Sequence, residues 1–206
     1  MNEDIAGVVS TDELASPDMA KRYEAMIRLE ADRRLGDDDL ERLALRDGEP
    51  FIRKRALRML TEKRAEGYLR ILRQALQDDD SMVRIIAAEM LHSLYEEGER
   101  IRIVDLLAPL LRDRDHGVRS RVTSLLLCTG EKRAEELVVD LFIEGLERKA
   151  GPGEIARLAS LVSMLKVKKV AGLLRKKLDR LDEEKRNMGL EGLEREGIDI
   201  LRKSKS

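Results

Sequence analysis

The chain has 206 residues, a formal net charge of -1, 42% hydrophobic and 39% charged residues, and only 2% aromatics with no Trp. That is enough apolar material for a core, but few rings from which to build an enzyme's substrate pocket. The balanced charge argues against a general polyanion binder, and no apolar run approaches the ~20 residues that cross a bilayer.

Residues 1–15 hold Ile5, Val8, Val9 and Leu14, which suit a broken cap helix. The same stretch has no basic leader or long apolar core, so no signal peptide is expected and the protein is expected to be cytoplasmic. Ser16 and Pro17 suit a helix start, because Ser accepts hydrogen bonds from free amides and Pro tolerates the first helical position. That helix is expected to run to about Leu35 and to stop at Gly36. Asp37, Asp38 and Asp39 open a short helix with Leu40, Leu43 and Ala44 on one edge. The Asp triplet reads as a cap rather than a metal site. Carboxylates stabilise helix N-termini, and no Asx-rich calcium loop follows.

Gly48 and Pro50 mark the next turn. The helix from Pro50 carries Ile52, Ala56, Met59 and Leu60, and a second carries Ala65, Tyr68, Leu69, Leu72, Ala75 and Leu76 at helical spacing. Asp78 to Ser81 is the following cap, ahead of a helix with Val83, Ala87, Met90, Leu91 and Leu94. After Gly98 comes a helix with Ile101, Val104, Leu107, Ala108 and Leu111. Pro109 lies inside it and predicts a kink or an early end. A helix over residues 113–128 follows, then an amphipathic one with Ala134, Leu137, Val138, Leu141, Phe142, Gly145 and Leu146. Gly151-Pro152-Gly153 is a break. The last helix starts at Asp182, and its Gly189, Gly192 and Gly197 are each expected to weaken it by about 1 kcal/mol relative to Ala.

Four of these segments repeat one statement. Arg22, Arg53, Arg84 and Arg119 are each followed three residues later by Ala25, Ala56, Ala87 and Val122, and four residues beyond by Leu29, Leu60, Leu91 and Leu126. The period is 31, 31 and 35 residues. Repetition at that period is the signature of a stacked array, in which no helix pair buries its apolar surface alone. Asp47, Asp78 and Asp113 stand six residues before Arg53, Arg84 and Arg119. A cation in the first turn of a helix opposes the helix dipole and needs an offset. These aspartates are therefore expected at the inter-helix turns, forming a structural ladder with the arginines of the same or the next repeat.

The pattern D-x5-R-x2-A-x3-L in two-helix units resembles HEAT repeats, and is similar in particular to the short HEAT-like units of the phycobilisome-lyase type. It is strong over residues 47–128 and weak elsewhere within 16–180. The resemblance implies an all-α fold, a right-handed α-solenoid of about five two-helix HEAT-like repeats, with the motif helix on the concave side. Residues 1–206 are then one domain: a cap over 1–15, clear repeats over 16–150, and divergent repeats with a C-terminal cap over 151–206.

Chemistry is sparse. His92 and His116 are 24 residues apart, with no Cys or His at metal-ligand spacing. His116, beside Gly117, reads as a surface turn residue. Cys128 ends an apolar run and reads as a buried structural thiol. No phosphate loop or nucleophile motif is present, so no catalytic residue, cofactor or metal is expected. The few labile amides and abundant Lys, Arg and Glu resemble a thermophile's composition. On the exposed side of the motif helices Lys54, Arg55 and Arg58 share a face and Arg121 matches Arg55 two repeats on, while Ile85, Ile86 and Glu89 interrupt that stripe. A basic run also covers residues 166–180. These basic islands read first as solvated helix surface and second as a groove for an acidic protein segment, and the function expected is a non-enzymatic scaffold that binds a protein partner along the concave face. A nucleic-acid binder similar to the HEAT-like alkylpurine DNA glycosylases is disfavoured, since the groove helices offer Tyr23 and little else to stack a base. A bilin lyase-like modifying enzyme is the third reading, resting on the family name alone.

Overall fold

The structure, a computed structural model, describes residues 10–99, 101–165 and 167–200. Ile5, Val8 and Val9 of the expected cap, and the side chains of Lys166, Lys168 and Lys169, lie outside the described residues. The fold is all-α, and there is no strand among the described residues. None of the helices is long and apolar enough to cross a membrane. By its contacts the chain divides into two compact units, Met1–Glu99 and Arg100–Ser206.

In the first unit a 3-10 turn, η1 (Thr11–Ala15), precedes α1 (Met19–Ala31), α2 (Asp37–Arg46), α3 (Pro50–Lys63), α4 (Tyr68–Ala75) and α5 (Ser81–Glu96). The expected stripes are the core: Ala25 and Leu29 of α1, with Met26 added, Ile52, Ala56, Met59 and Leu60 of α3, and Val83, Ala87, Leu91 and Leu94 of α5 are buried, while Met90 is half-buried. Ala at 25, 56 and 87 lets neighbouring helices approach closely, as larger side chains would not. Leu14 of η1 is buried against α1 and closes that end of the core.

Helix starts follow local capping chemistry. Asp80 caps α5 by accepting from Val83 N at 3.0 Å. The start of α1 differs from the expectation. Asp18, not Ser16, is the N-cap and accepts from Ala20 N, while Ser16 Oγ accepts from Asp18 N one step earlier. The helix also ends sooner, at Ala31. Arg33 takes the left-handed conformation (φ 56°), and the amides of Arg34 and Leu35 both return to the Leu29 carbonyl. Arg64 and Lys149 play the same part after α3 and after α8 (Lys132–Glu147). Sequence reading looks for glycine at such positions, so it ran α1 on to Gly36.

The second unit holds α6 (Ile103–Leu107), η2 (Ala108–Arg112), α7 (His116–Cys128), α8, α9 (Pro152–Ser163), α10 (Val167–Leu178) and α11 (Glu183–Arg195). Pro109 has the expected effect: the α-helix gives way to a 3-10 turn at Ala108. Pro152 sits at the first position of α9, so the Gly-Pro-Gly break is also a helix start. The glycines of α11 correct the expectation that they merely weaken it. A Cβ on Gly189 would lie 2.7 Å from Leu146 Cδ1 and 2.9 Å from Leu178 Cδ2, and one on Gly192 3.2 Å from Ile155 Cγ2. Both glycines are buried, and they let α11 close over α8, α9 and α10. Gly197, at φ 74° with open space around it, terminates the helix.

Candidate protein-interaction face

The repeated arginines organise the turns. Arg22 donates from Nε and Nη2 to Asp47 (2.8 and 3.0 Å), and Arg53 donates in the same two-pronged way to Asp78 (2.8 and 2.7 Å). Each arginine therefore takes the aspartate of the next repeat, and the carboxylate holds both guanidiniums in their charged form. The aspartate of an arginine's own repeat contributes only its carbonyl. Arg53 Nη1 reaches Asp47 O at 2.7 Å, Arg84 Nη1 reaches Asp78 O at 2.6 Å, and Arg119 Nη1 reaches Asp113 O at 2.6 Å. Arg84 is buried and has further partners. Asp47, Asp78 and Asp113 also brace their own turns, accepting from Glu49 N, Asp80 N and Asp115 N. The charges of Arg22, Arg53, Asp47 and Asp78 are thus consumed against one another inside the framework.

The opposite situation holds on the exposed face of α1, α3 and α5. Positions 51, 54 and 58 of α3 are three and four apart and share a side, as do 82, 85 and 89 of α5 and 20, 23 and 27 of α1. Phe51 is 52% exposed and Met82 48% exposed. Phe51 meets Tyr23 of α1 with ring centroids 5.2 Å apart, which ties the α1 and α3 parts of the face together. Ile27 and Ile85 are half-buried on the same sides. α3 packs beside α5, with Thr61 Oγ1, which donates to Leu57 O, 3.6 Å from Met90 Sδ. A strip of apolar side chains thus crosses three helices of one unit.

Lys54 and Arg58 rise from this strip, and neither has an ion-pair partner among the described residues. Arg55 differs from the free cation expected of it. Its Nη2 lies 3.6 Å from Glu30 Oε2 of α1, and its Nε is buried. Arg121 is exposed on α7 in the second unit and is engaged by other groups. The basic residues are legible in the sequence, where Ile85 reads as an interruption. Phe51 and Met82, the residues just after Pro50 and Ser81 in the first turn of their helices, fall outside that expectation. The signal was available: both lie two residues before a ladder arginine, outside the buried stripe.

Elsewhere the chemistry stays thin. His116 is exposed at the start of α7, as expected, whereas His92 is buried with Nδ1 3.5 Å from Glu96 Oε2. No group of three His, Cys, Asp or Glu among the described residues could hold a metal ion. Asp37, Asp38 and Asp39 occupy the first turn of α2. Cys128 corrects its expectation: it is the last residue of α7 and is exposed, because the buried stripe of that helix ends at Leu126.

Residues 38–126 match the family model of HEAT repeats. The match contains the Arg53 and Arg84 copies, the Asp47–Asp78 turns and the α3–α5 part of the exposed face. It covers HEAT repeats at large. No curated protein matches the chain. Among solved structures the chain is similar to an engineered protein at 18% identity and a TM-score of 0.40, over 90% of this chain and 95% of that one.

Proposed function

We propose that this protein is a non-enzymatic HEAT-type scaffold, cytoplasmic, that holds a segment of a partner protein on the exposed face of α1, α3 and α5. One observation carries the reading: Phe51 and Met82 stand half in solvent at matching positions of α3 and α5, and Lys54 and Arg58, which share the Phe51 side of α3, have no ion-pair partner among the described residues. Contiguous exposed apolar surface on a rigid helical layer marks an interaction site. The partner segment therefore presents two or three apolar side chains to the Tyr23–Phe51–Met82–Ile85 strip and acidic residues to Lys54 and Arg58. Aromatic and long apolar anchors supply most of the affinity at such interfaces, and the cations set partner choice and encounter rate. Within this reading the repeats are HEAT-like units similar in spacing to the phycobilisome-lyase type, without the lyase chemistry.

The test is selection of a random peptide library on the full chain. Enriched sequences should combine aliphatic or aromatic residues with nearby Asp or Glu. F51A/M82A should weaken their binding about tenfold or more, matching the loss of two central contacts. K54E/R58E should weaken it and remove its salt dependence. Enriched peptides that lack acidic residues, or that bind both double variants as well as the parent, would overturn the assignment.

A further inference from the structure

The arginine ladder has an open end. Arg22 and Arg53 each bind the carboxylate found 25 residues later, in the turn before the next motif helix. The corresponding turn after Arg119, between α8 and α9, reads Arg148-Lys149-Ala150-Gly151 and has no aspartate. Arg119 donates from Nη1 to the carbonyls of Asp113 and Arg114 (2.6 and 3.0 Å) and makes no other side-chain bond among the described residues. Its Nε and Nη2, the edge that takes a carboxylate in the earlier copies, make no hydrogen bond to a carboxylate among the described residues, although Glu154 is near enough to feel the charge.

That half-buried guanidinium lines a cleft of about 730 Å³ within the second unit. The apolar part of the wall is Leu141, Leu158, Leu161 and Met164, the last 40% exposed. The cleft's own acids are largely committed: Glu144 bonds Arg112, and Glu154 bonds Arg148, which with the weaker fields of Arg157 and Arg119 keeps its carboxyl below the usual range. Arg157 also lines the cleft and has no ion-pair partner among the described residues, with Glu196 at the edge.

We infer that Arg119 is a carboxylate-binding site, and that its cleft takes an acidic segment of a partner protein, an aspartate on the guanidinium fork and an apolar residue against Leu141, Leu158, Leu161 and Met164. The protein supplies the template for the first contact. Asp47 and Asp78 show how a turn aspartate meets this arginine position with two parallel N–H···O bonds, the geometry that makes arginine selective for carboxylates. The cleft shares no residue with the Phe51–Met82 strip, so this inference stands or falls independently of the scaffold face.

The test uses the full chain with its arginine side chains labelled with nitrogen-15, and a capped peptide of sequence QDDDSMV, residues 77–83 of the protein itself. The Arg119 Nε–H resonance should shift saturably with a Kd on the order of 1 mM. Changing the peptide's first aspartate to Asn should weaken binding about tenfold, and Arg119→Lys should do the same by removing the fork. No saturable shift up to about 5 mM peptide, or equal binding of the Asn peptide, would overturn the site. Acetate binding as tightly as the peptide would overturn the peptide as occupant. The Asn peptide keeps the test valid on the unaltered protein even where a variant folds poorly.

Discussion

Arg53→Ala and Arg119→Ala remove the same side chain from equivalent positions, yet they should differ in cost. Arg53 is 9% exposed and makes three hydrogen bonds: two to Asp78 (2.8 and 2.7 Å) and one to Asp47 O (2.7 Å). Its loss leaves the Asp78 carboxylate, whose side chain is only 10% exposed, with the Asp80 amide as its remaining donor. Breaking one side of such a pair costs about 3–5 kcal/mol, because the other charge stays in a poorly solvated place. Among the described residues the Arg119 side chain bonds two main-chain acceptors, both of which water can serve, so R119A should cost about 1–2 kcal/mol. Urea unfolding followed by far-UV circular dichroism measures both, and R53A, D78A and the double variant close a cycle. A coupling of about 1.5 kcal/mol or more is expected for directly bonded partners. If R53A costs less than about 1 kcal/mol, the pair behaves as an ordinary surface salt bridge and the ladder is not what holds the repeats in register.

Two further predictions concern packing and pH. Gly172→Ala, inside α10 with nothing within 4 Å of the new Cβ, should stabilise by roughly 0.5–1 kcal/mol through helix propensity. Gly189→Ala should destabilise instead, by about 1–2 kcal/mol, since the Cβ meets the buried Leu146 and Leu178 and overpacking outweighs propensity; thermal melts of the two variants should move in opposite directions. Glu41 and Glu154 are held below the usual carboxylate range, chiefly by hydrogen bonds from Arg70 and Arg148 respectively. A carboxylate with a depressed folded-state pKa stabilises above its unfolded value and loses that contribution as pH falls through the folded one. Stability should therefore drop on acidification through about pH 4 and below, and E41Q should flatten that drop.

The apolar stripes were legible because a helix in contact with neighbours on one side must show apolar residues at intervals of three and four. Thus Ile52, Ala56, Met59 and Leu60 could be placed in the core from spacing alone. The arginine–aspartate ladder was legible as a pairing of types, but its direction was not. Nothing in D-x5-R says that Arg53 takes Asp78 from the next repeat and only a carbonyl from Asp47. The ends of α1 were missed because Arg33 adopts a backbone conformation that residue identity would assign to glycine. The role of Cys128 was missed because an apolar run near a helix end does not reveal where burial stops.

The one-dimensional pattern determined the helices, the repeat and the residues able to fill a core, since those follow from local periodicity and from which side chains avoid water. Only the tertiary structure decided which surplus residues remain at the surface and which charges are consumed. Phe51 and Met82 become an exposed strip only because the helix beneath them buries a different side. Gly189 becomes a contact rather than a weakness only because two leucines from other helices approach it. Arg119 becomes an open fork only because the turn that would have supplied its partner has no carboxylate to offer. Each of these depends on distances between residues far apart in the chain, which local spacing does not encode.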